Sequence, residues 1–300
     1  MRILLATALA FTVTGIAHTQ DMGAAIPAAV ISDPTPDPLN PPRSAEVLVP
    51  SDGQGMNGLF YLAGGAGPHP TMVLLHGFPG NEQNLDLAQA IRRSGWNVLT
   101  LHYRGAWGSP GVFSIKHALE DTNAAMTFVR RPDIADKFGI DTRRIVLGGH
   151  SMGGFASAAH ARVDGRLFGV VLIDAWNVGL DGHNLANASG AARVALITSN
   201  FDDLGNSLHG ATAASTAQEM MEHRVDWDFQ SWAKDLTRSP LLVIGASQAY
   251  GEQNRRLADA VTRAGGKVVA ITMTSDHSFQ DHRVALAAAV INWLQKLPKS

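Results

Sequence analysis

The sequence has 300 residues, 45% of them hydrophobic and 17% charged, with a net charge of -2 and no cysteine. That length and apolar content supply a large core in one or two domains, and the lack of cysteine excludes disulfides and a lipid-modified thiol. No stretch concentrates Lys and Arg, so nucleic acid is not an expected partner.

The chain opens on Met1-Arg2, an apolar segment over 3–13 and Gly15-Ile16-Ala17. A short positive start, an apolar stretch too short to span a bilayer and small residues two apart predict a secretory signal peptide over 1–17, cut after Ala17. The mature protein is therefore expected outside the cytoplasm, periplasmic or extracellular, without stable membrane insertion. Residues 18–43 carry Pro27, Pro34, Pro36, Pro38, Pro41 and Pro42 and predict an extended or mobile arm acting as a spacer.

From residue 44 to 300 strand and helix patterns alternate, which predicts one α/β domain. Short strands at 46–49 and 59–62 read as a hairpin through Ser51-Asp52-Gly53-Gln54-Gly55. A continuous apolar run at 71–75 predicts a buried strand that leads into His76-Gly77-Phe78-Pro79-Gly80. A helix follows over 84–94, closed by Gly95, then a strand at 96–100 and a helix over 115–130. The run Arg144-Ile145-Val146-Leu147-Gly148 reads as a strand that ends at Gly149-His150-Ser151-Met152-Gly153 and turns into an Ala-rich helix. A strand at 168–173 then ends on Asp174.

The regularity breaks over 177–239, where helix-like pieces at 191–199 and 213–223 lie among Asp-, Asn- and Gly-rich turns. This insertion is expected as a small cap over the strand ends, shaping a pocket. Alternation resumes with a strand at 241–244, a helix over 252–264, a strand at 267–273, the turn Asp276-His277-Ser278-Phe279 and a final amphipathic helix to 297.

The glycines around Ser151 have a steric reason. A strand that turns at once into a helix forces the central residue into a strained conformation, and side chains two positions away would strike the neighbouring strand and helix. The strain holds the Ser151 hydroxyl clear of the sheet, and the following helix aims its free N–H groups and positive dipole end at the same place. Ser151 is thus the candidate nucleophile.

Together, His76-Gly77-Phe78-Pro79-Gly80, Tyr103-Arg104-Gly105, Gly149-His150-Ser151-Met152-Gly153 and Asp276-His277-Ser278-Phe279 resemble the α/β-hydrolase superfamily, near its secreted esterases and prolyl-oligopeptidase-like hydrolases. The resemblance spans 71–279. It implies an α/β-hydrolase fold, with a mostly parallel eight-stranded sheet, helices on both faces and a small helical cap. It also implies an oxyanion hole made by the backbone N–H groups of Phe78 and Met152.

Ser151 needs a base, because a serine hydroxyl is scarcely nucleophilic at neutral pH. His277 is best placed, following a strand whose end shares a rim with Ser151; His282 competes but reads as the start of the last helix. The resemblance leads one to expect an acid shortly after the seventh strand, yet Gly245-Ala246-Ser247-Gln248-Ala249-Tyr250-Gly251 holds no carboxylate. Two candidates remain: Asp174 at the end of the sixth strand and Glu252, the first carboxylate after the seventh. Asp174 is preferred because strand ends are better fixed than loops.

His76, His102 and His150 lie near strand ends, but their spacing matches no metal motif, so neither metal nor cofactor is expected. Trp107, Phe113, Trp176, Trp227, Phe229 and Trp232 are divided between core packing and an apolar pocket. The leading expectation is a secreted serine hydrolase cleaving carboxylic esters through an acyl-enzyme on Ser151. A peptidase with the same machinery is the near alternative, and a catalytically silent binding protein on the same scaffold is the distant one. The expected partner is a small-molecule ester or a peptide substrate.

Overall fold

The computed structural model describes residues 25–201, 204 and 207–298. The leader read at 1–17 lies outside the described residues. Eight strands form one sheet: β1 (Arg43–Ser51), β2 (Gln54–Leu62), β3 (His69–Leu75), β4 (Asn97–Leu101), β5 (Ile140–His150), β6 (Gly169–Ile173), β7 (Leu241–Ala246) and β8 (Val268–Met273). The first five helices are α1 (Ala28–Ile31), α2 (Leu85–Arg93), α3 (Ile115–Phe128), α4 (Pro132–Phe138) and α5 (Met152–Ala161). The rest are α6 (Val178–Asn187), α7 (Gly190–Phe201), α8 (Ala213–His223), α9 (Gly251–Arg263) and α10 (Arg283–Lys296).

The strand order is β1-β2-β4-β3-β5-β6-β7-β8. β2 runs antiparallel to both β1 and β4, and every neighbouring pair from β4 to β8 is parallel. This is the α/β-hydrolase arrangement expected from the sequence. The β1–β2 hairpin closes through Asp52 and Gly53, both at positive φ (46° and 73°), as a two-residue turn between right-twisted strands requires.

Side-chain parity decides which helices cover which face. Val73 and Leu75 of β3, Ile145 and Leu147 of β5, and Leu172 of β6 enter the core closed by α3, α5 and α9. Met72, Leu74, Val146 and Val171 enter the opposite core, closed by α2 and α10. With both faces covered, the central strands must be apolar throughout, which is why they read as continuous hydrophobic runs.

Three local features depart from the sequence reading. The helix expected over 115–130 ends at Phe128, because Pro132 starts a separate helix, α4, that closes on Gly139 at φ 61°. β5 begins at Ile140, where the Asp141 carboxylate takes bonds from Arg143 and Arg144. The described part of the proline-rich arm is docked: Arg93 Nε donates to Ala29 O at 2.6 Å, Asn292 Nδ2 donates to Ala25 O at 3.1 Å, and Ala29 and Val30 pack on the α2/α10 core.

Between β6 and β7 the chain leaves the sheet for α6, α7, α8 and two short 3₁₀ turns, Phe229–Trp232 and Asp235–Arg238. Glu219 of α8 accepts from the backbone N–H groups of Ile115 and Lys116, both at 2.9 Å, and so caps α3. A carboxylate there contributes about 0.5–2 kcal/mol and ties the insertion to the domain. The loop after β4 is sewn to the same insertion by Trp107 N to Ser207 O and Phe113 N to His209 O, both 2.9 Å. No helix among the described residues is long and apolar enough to cross a membrane.

Candidate active site

Ser151 sits at the abrupt turn from β5 into α5, at φ 57° and ψ -119°. Its N–H extends the β5–β6 ladder to Ile173 O at 3.0 Å, while its carbonyl accepts from Phe155 N and Trp176 N, each at 3.0 Å. These three bonds hold a conformation that side-chain-bearing residues avoid. The crowding argument holds in detail: a Cβ on Gly149 would strike the Gly153 backbone, and one on Gly153 would strike the Leu75 and His76 carbonyls.

The loop after β3 lies against this turn. A Cβ at Gly77 would fall 2.8 Å from Ser151 Cβ, so glycine is what lets the loop approach Ser151. His76 Nδ1 donates to Gly77 O at 2.7 Å, Tyr103 Oη donates to His76 O at 3.1 Å, and Trp107 Nε1 donates to Pro79 O at 2.8 Å. Burial pushes His76 down to about 4, so it is neutral and donates through one nitrogen. The Met152 N–H opens α5, where the first N–H groups of a helix have no intrahelical acceptor. The Phe78 N–H sits one residue beyond Gly77, and neither N–H bonds another backbone group among the described residues.

Asp174 follows β6 directly, at φ 40°, and is fully buried. Its Oδ2 meets His277 Nδ1 at 2.6 Å. The same carboxylate accepts from the backbone N–H groups of Ala246, at 2.9 Å, and Tyr250, at 3.3 Å. The end of β7 and the loop after it therefore supply amide donors to a carboxylate at the end of the neighbouring strand. Glu252 is drawn elsewhere: it is exposed and bonds Arg255 and Arg256 in the first turns of α9. His282 occupies the N-cap of α10 beside Asp281.

His277 is held by its backbone as well as its ring. His150 Nε2 donates to His277 O at 2.8 Å, and the two rings lie 4.4 Å apart. Tyr250 stands edge-on to His277 at 4.9 Å. Burial, then the nearby His277, pushes His150 down to about 3, so its single proton is the one on Nε2. Arg283 braces the loop from below, donating to Ser278 O at 2.9 Å while gripping Asp86 and Asn84. No hydrogen bond joins Ser151 Oγ to the His277 ring among the described residues; catalytic hydrogen bonds are commonly long before substrate enters.

Four aromatic rings gather beside the serine. Phe78 lies 5.7 Å from Phe113, 6.2 Å from Trp176 and 5.8 Å from Phe201. Phe113, Trp176, Trp227 and Trp232 are all buried in one core cluster, the first two packed on Phe78 and the last two on Phe155. Phe201 and Tyr250 were not marked by the sequence: the path of the insertion brings Phe201 here, and the loop after β7 brings Tyr250 to His277. His76 and His102, with rings 5.3 Å apart, line a cleft of about 330 Å³ with Glu46 and Asn57; Ser151, Asp174 and His277 do not line it. Among the described residues no three His, Cys, Asp or Glu side chains are grouped to hold a metal ion.

A glycine-framed serine at a strained strand-to-helix turn, with a histidine and a buried carboxylate on adjoining strand ends, defines an α/β protein of hydrolase architecture. The chain belongs to the alpha/beta hydrolase family, whose profile it matches over residues 72–289. It is similar in structure to an esterase of Pyrobaculum calidifontis, at TM-score 0.63 and 20% identity over 84% of this chain and 85% of that one. It is also similar to a thermophilic carboxylesterase cloned from a metagenomic library, at TM-score 0.60 and 19% identity over 91% and 93% of the two chains. The acylaminoacyl peptidase of Pyrococcus horikoshii aligns at TM-score 0.60 and 16% identity, over 87% of this chain and 42% of that one. A search of curated protein sequences returned no match.

Proposed function

We propose that this chain is a serine hydrolase of carboxylic esters, with Ser151 as nucleophile, His277 as general base and Asp174 as the acid that orients it. The observation that carries the reading is the 2.6 Å bond from His277 Nδ1 to the buried Asp174 carboxylate, on the rim that bears Ser151. The carboxylate fixes the tautomer in which Nε2 is the free base and stabilises the imidazolium that forms. Ser151 Oγ attacks the ester carbonyl as its proton passes to Nε2, and the N–H groups of Phe78 and Met152 receive the oxyanion. The alkoxide leaves with the proton from His277, and water attacks the acyl-enzyme by the same route. The silent-scaffold reading rested on a missing acid, and a carboxylate does meet His277.

Amide bonds are the second reading, supported by the fold shared with the acylaminoacyl peptidase. We also propose that the protein is exported, on the strength of Met1-Arg2, the apolar segment and Gly15-Ile16-Ala17; N-terminal sequencing after cell fractionation would find His18 first. The catalytic test is fluorophosphonate labelling followed by peptide mass spectrometry, with esters and peptides screened in parallel. A single adduct on Ser151 that disappears in His277→Ala supports an activated nucleophile. Ester turnover that survives Ser151→Ala would sink the reading.

A further inference from the structure

Asp181, in the first turn of α6, is a partly buried carboxylate that the proposed chemistry does not use. Its Oδ2 accepts from Trp176 Nε1 at 2.6 Å and its Oδ1 from Asn184 Nδ2 at 3.3 Å. No Lys or Arg pairs with it among the described residues, in contrast to Asp121, Asp141 and Asp164, each of which meets an arginine. Carboxylates taken out of water are usually matched by a cation. Two neutral dipoles hold this one in place and leave its negative potential standing.

Its surroundings connect it to the catalytic rim. Trp176 bonds the Ser151 carbonyl through its own N–H at 3.0 Å and reaches Asp181 through its indole, so one residue spans from the nucleophile turn to the carboxylate. Phe78 and Phe201 lie 6.2 and 6.5 Å from the Trp176 ring. Tyr250 is edge-on to His277, and its hydroxyl is pushed up by burial first and then by the Asp181 and Asp174 carboxylates, which puts both within electrostatic reach of one ring. Trp176 and Tyr250 thus connect the Ser151 turn and His277 to the Asp181 carboxylate.

An apolar acyl chain would be served by the rings alone and would gain nothing from a desolvated negative charge. An ammonium group gains from both, since ring faces and a carboxylate attract the same cation. We propose that Asp181, Trp176 and Tyr250 form a cation-recognition subsite, and that preferred substrates carry an ammonium group on their acyl or alcohol part. The substrate class rests on the serine-hydrolase reading; the binding of a cation does not. The competing account makes Asp181 a tether for Trp176, indifferent to substrate charge.

Two measurements separate these accounts. In the first, kcat/KM is compared for trimethylammonium esters and their tert-butyl isosteres, with the group placed on the acyl side in one pair and on the alcohol side in the other. The wild-type chain should favour the cation in at least one pair, and Asp181→Asn, whose amide oxygen still accepts the Trp176 bond, should lower that preference about ten-fold. Equal ratios in wild type and variant for both pairs would overturn the subsite. In the second, tetramethylammonium is titrated into Ser151→Ala and followed by tryptophan fluorescence, which needs no turnover. Saturable binding that weakens about ten-fold when Asp181→Asn is added supports the subsite even if no ester is cleaved; no saturable binding overturns it even if esters are.

Discussion

His150 Nε2 lies 2.8 Å from the backbone carbonyl of His277, so the residue that precedes the proposed nucleophile grips the main chain of the proposed base. The bond links the end of β5 to the loop after β8; burial keeps the ring neutral by pushing His150 down to about 3, and the bond itself selects the tautomer with its proton on Nε2. Replacing His150 with phenylalanine keeps a ring but removes the donor, and the His277 loop then loses a fixed point. Misplacing a catalytic group by an ångström costs up to about 100-fold. We expect kcat for ester cleavage to fall about 10- to 100-fold in His150→Phe with KM little changed, and His150→Gln to recover part of the loss.

Asp174 and Glu252 give opposite predictions. Asp174→Asn keeps the shape of the site but offers an amide that competes for the wrong His277 tautomer, and kcat should fall about 10⁴-fold. Among the described residues the Glu252 carboxylate bonds only Arg255 and Arg256 on the surface of α9, so Glu252→Gln should stay within about two-fold of wild type. Steady-state kinetics on one para-nitrophenyl ester decides between them, and a larger loss in Glu252→Gln would reverse the assignment.

How much of this was legible in the sequence depends on range. The buried strands announce themselves because both faces of a parallel sheet are covered, and the turn at Ser151 does so because Gly149 and Gly153 are needed within two residues of it. The acid was ambiguous because Asp174 and Glu252 both follow a strand closely. Only the pairing of β6 with β7 shows that the amides of Ala246 and Tyr250 turn toward Asp174. The contribution of Phe201 and Asp181 depends on how the insertion folds back over the rim, and that of Tyr250 on how the loop after β7 turns toward Asp174. Residue spacing carries no record of that path.

The loop after β4 is anchored by charge. Arg104 bonds the fully buried Asp121 at 2.5 Å and also reaches Asp52 and Glu120. Ser51 Oγ donates to the same Asp121 at 2.6 Å, and so does the Arg104 backbone N–H at 2.8 Å. Removing one partner of such a network leaves a buried charge uncompensated, at a cost of about 3–5 kcal/mol. Asp121→Ala should lower Tm by about 10 °C in differential scanning calorimetry, whereas the exposed pair Arg131–Asp133 should show under about 1 kcal/mol when broken.

Acid sensitivity should begin well above the carboxylate range. His76 and His150 are pushed down to about 4 and about 3, chiefly by burial, and burial also lowers His102 and His160. Each is neutral in the fold, while the unfolded chain takes up a proton near the ordinary histidine value of about 6.5. The unfolded state therefore binds more protons below that pH. The stability is intact above about 6.5 and is lost as pH falls toward the depressed folded values, with a slope of up to about 1.4 kcal/mol per pH unit for each such residue. Asp86, Asp141 and Asp164, whose folded values are lowered, retain their contribution until the pH drops toward the ordinary carboxylate value near 3.8. The interval between about pH 6.5 and 5 thus isolates the imidazoles. Urea midpoints measured across it should fall steadily, and the fall should be shallower in His150→Gln; a flat profile would mean that these rings are not held neutral.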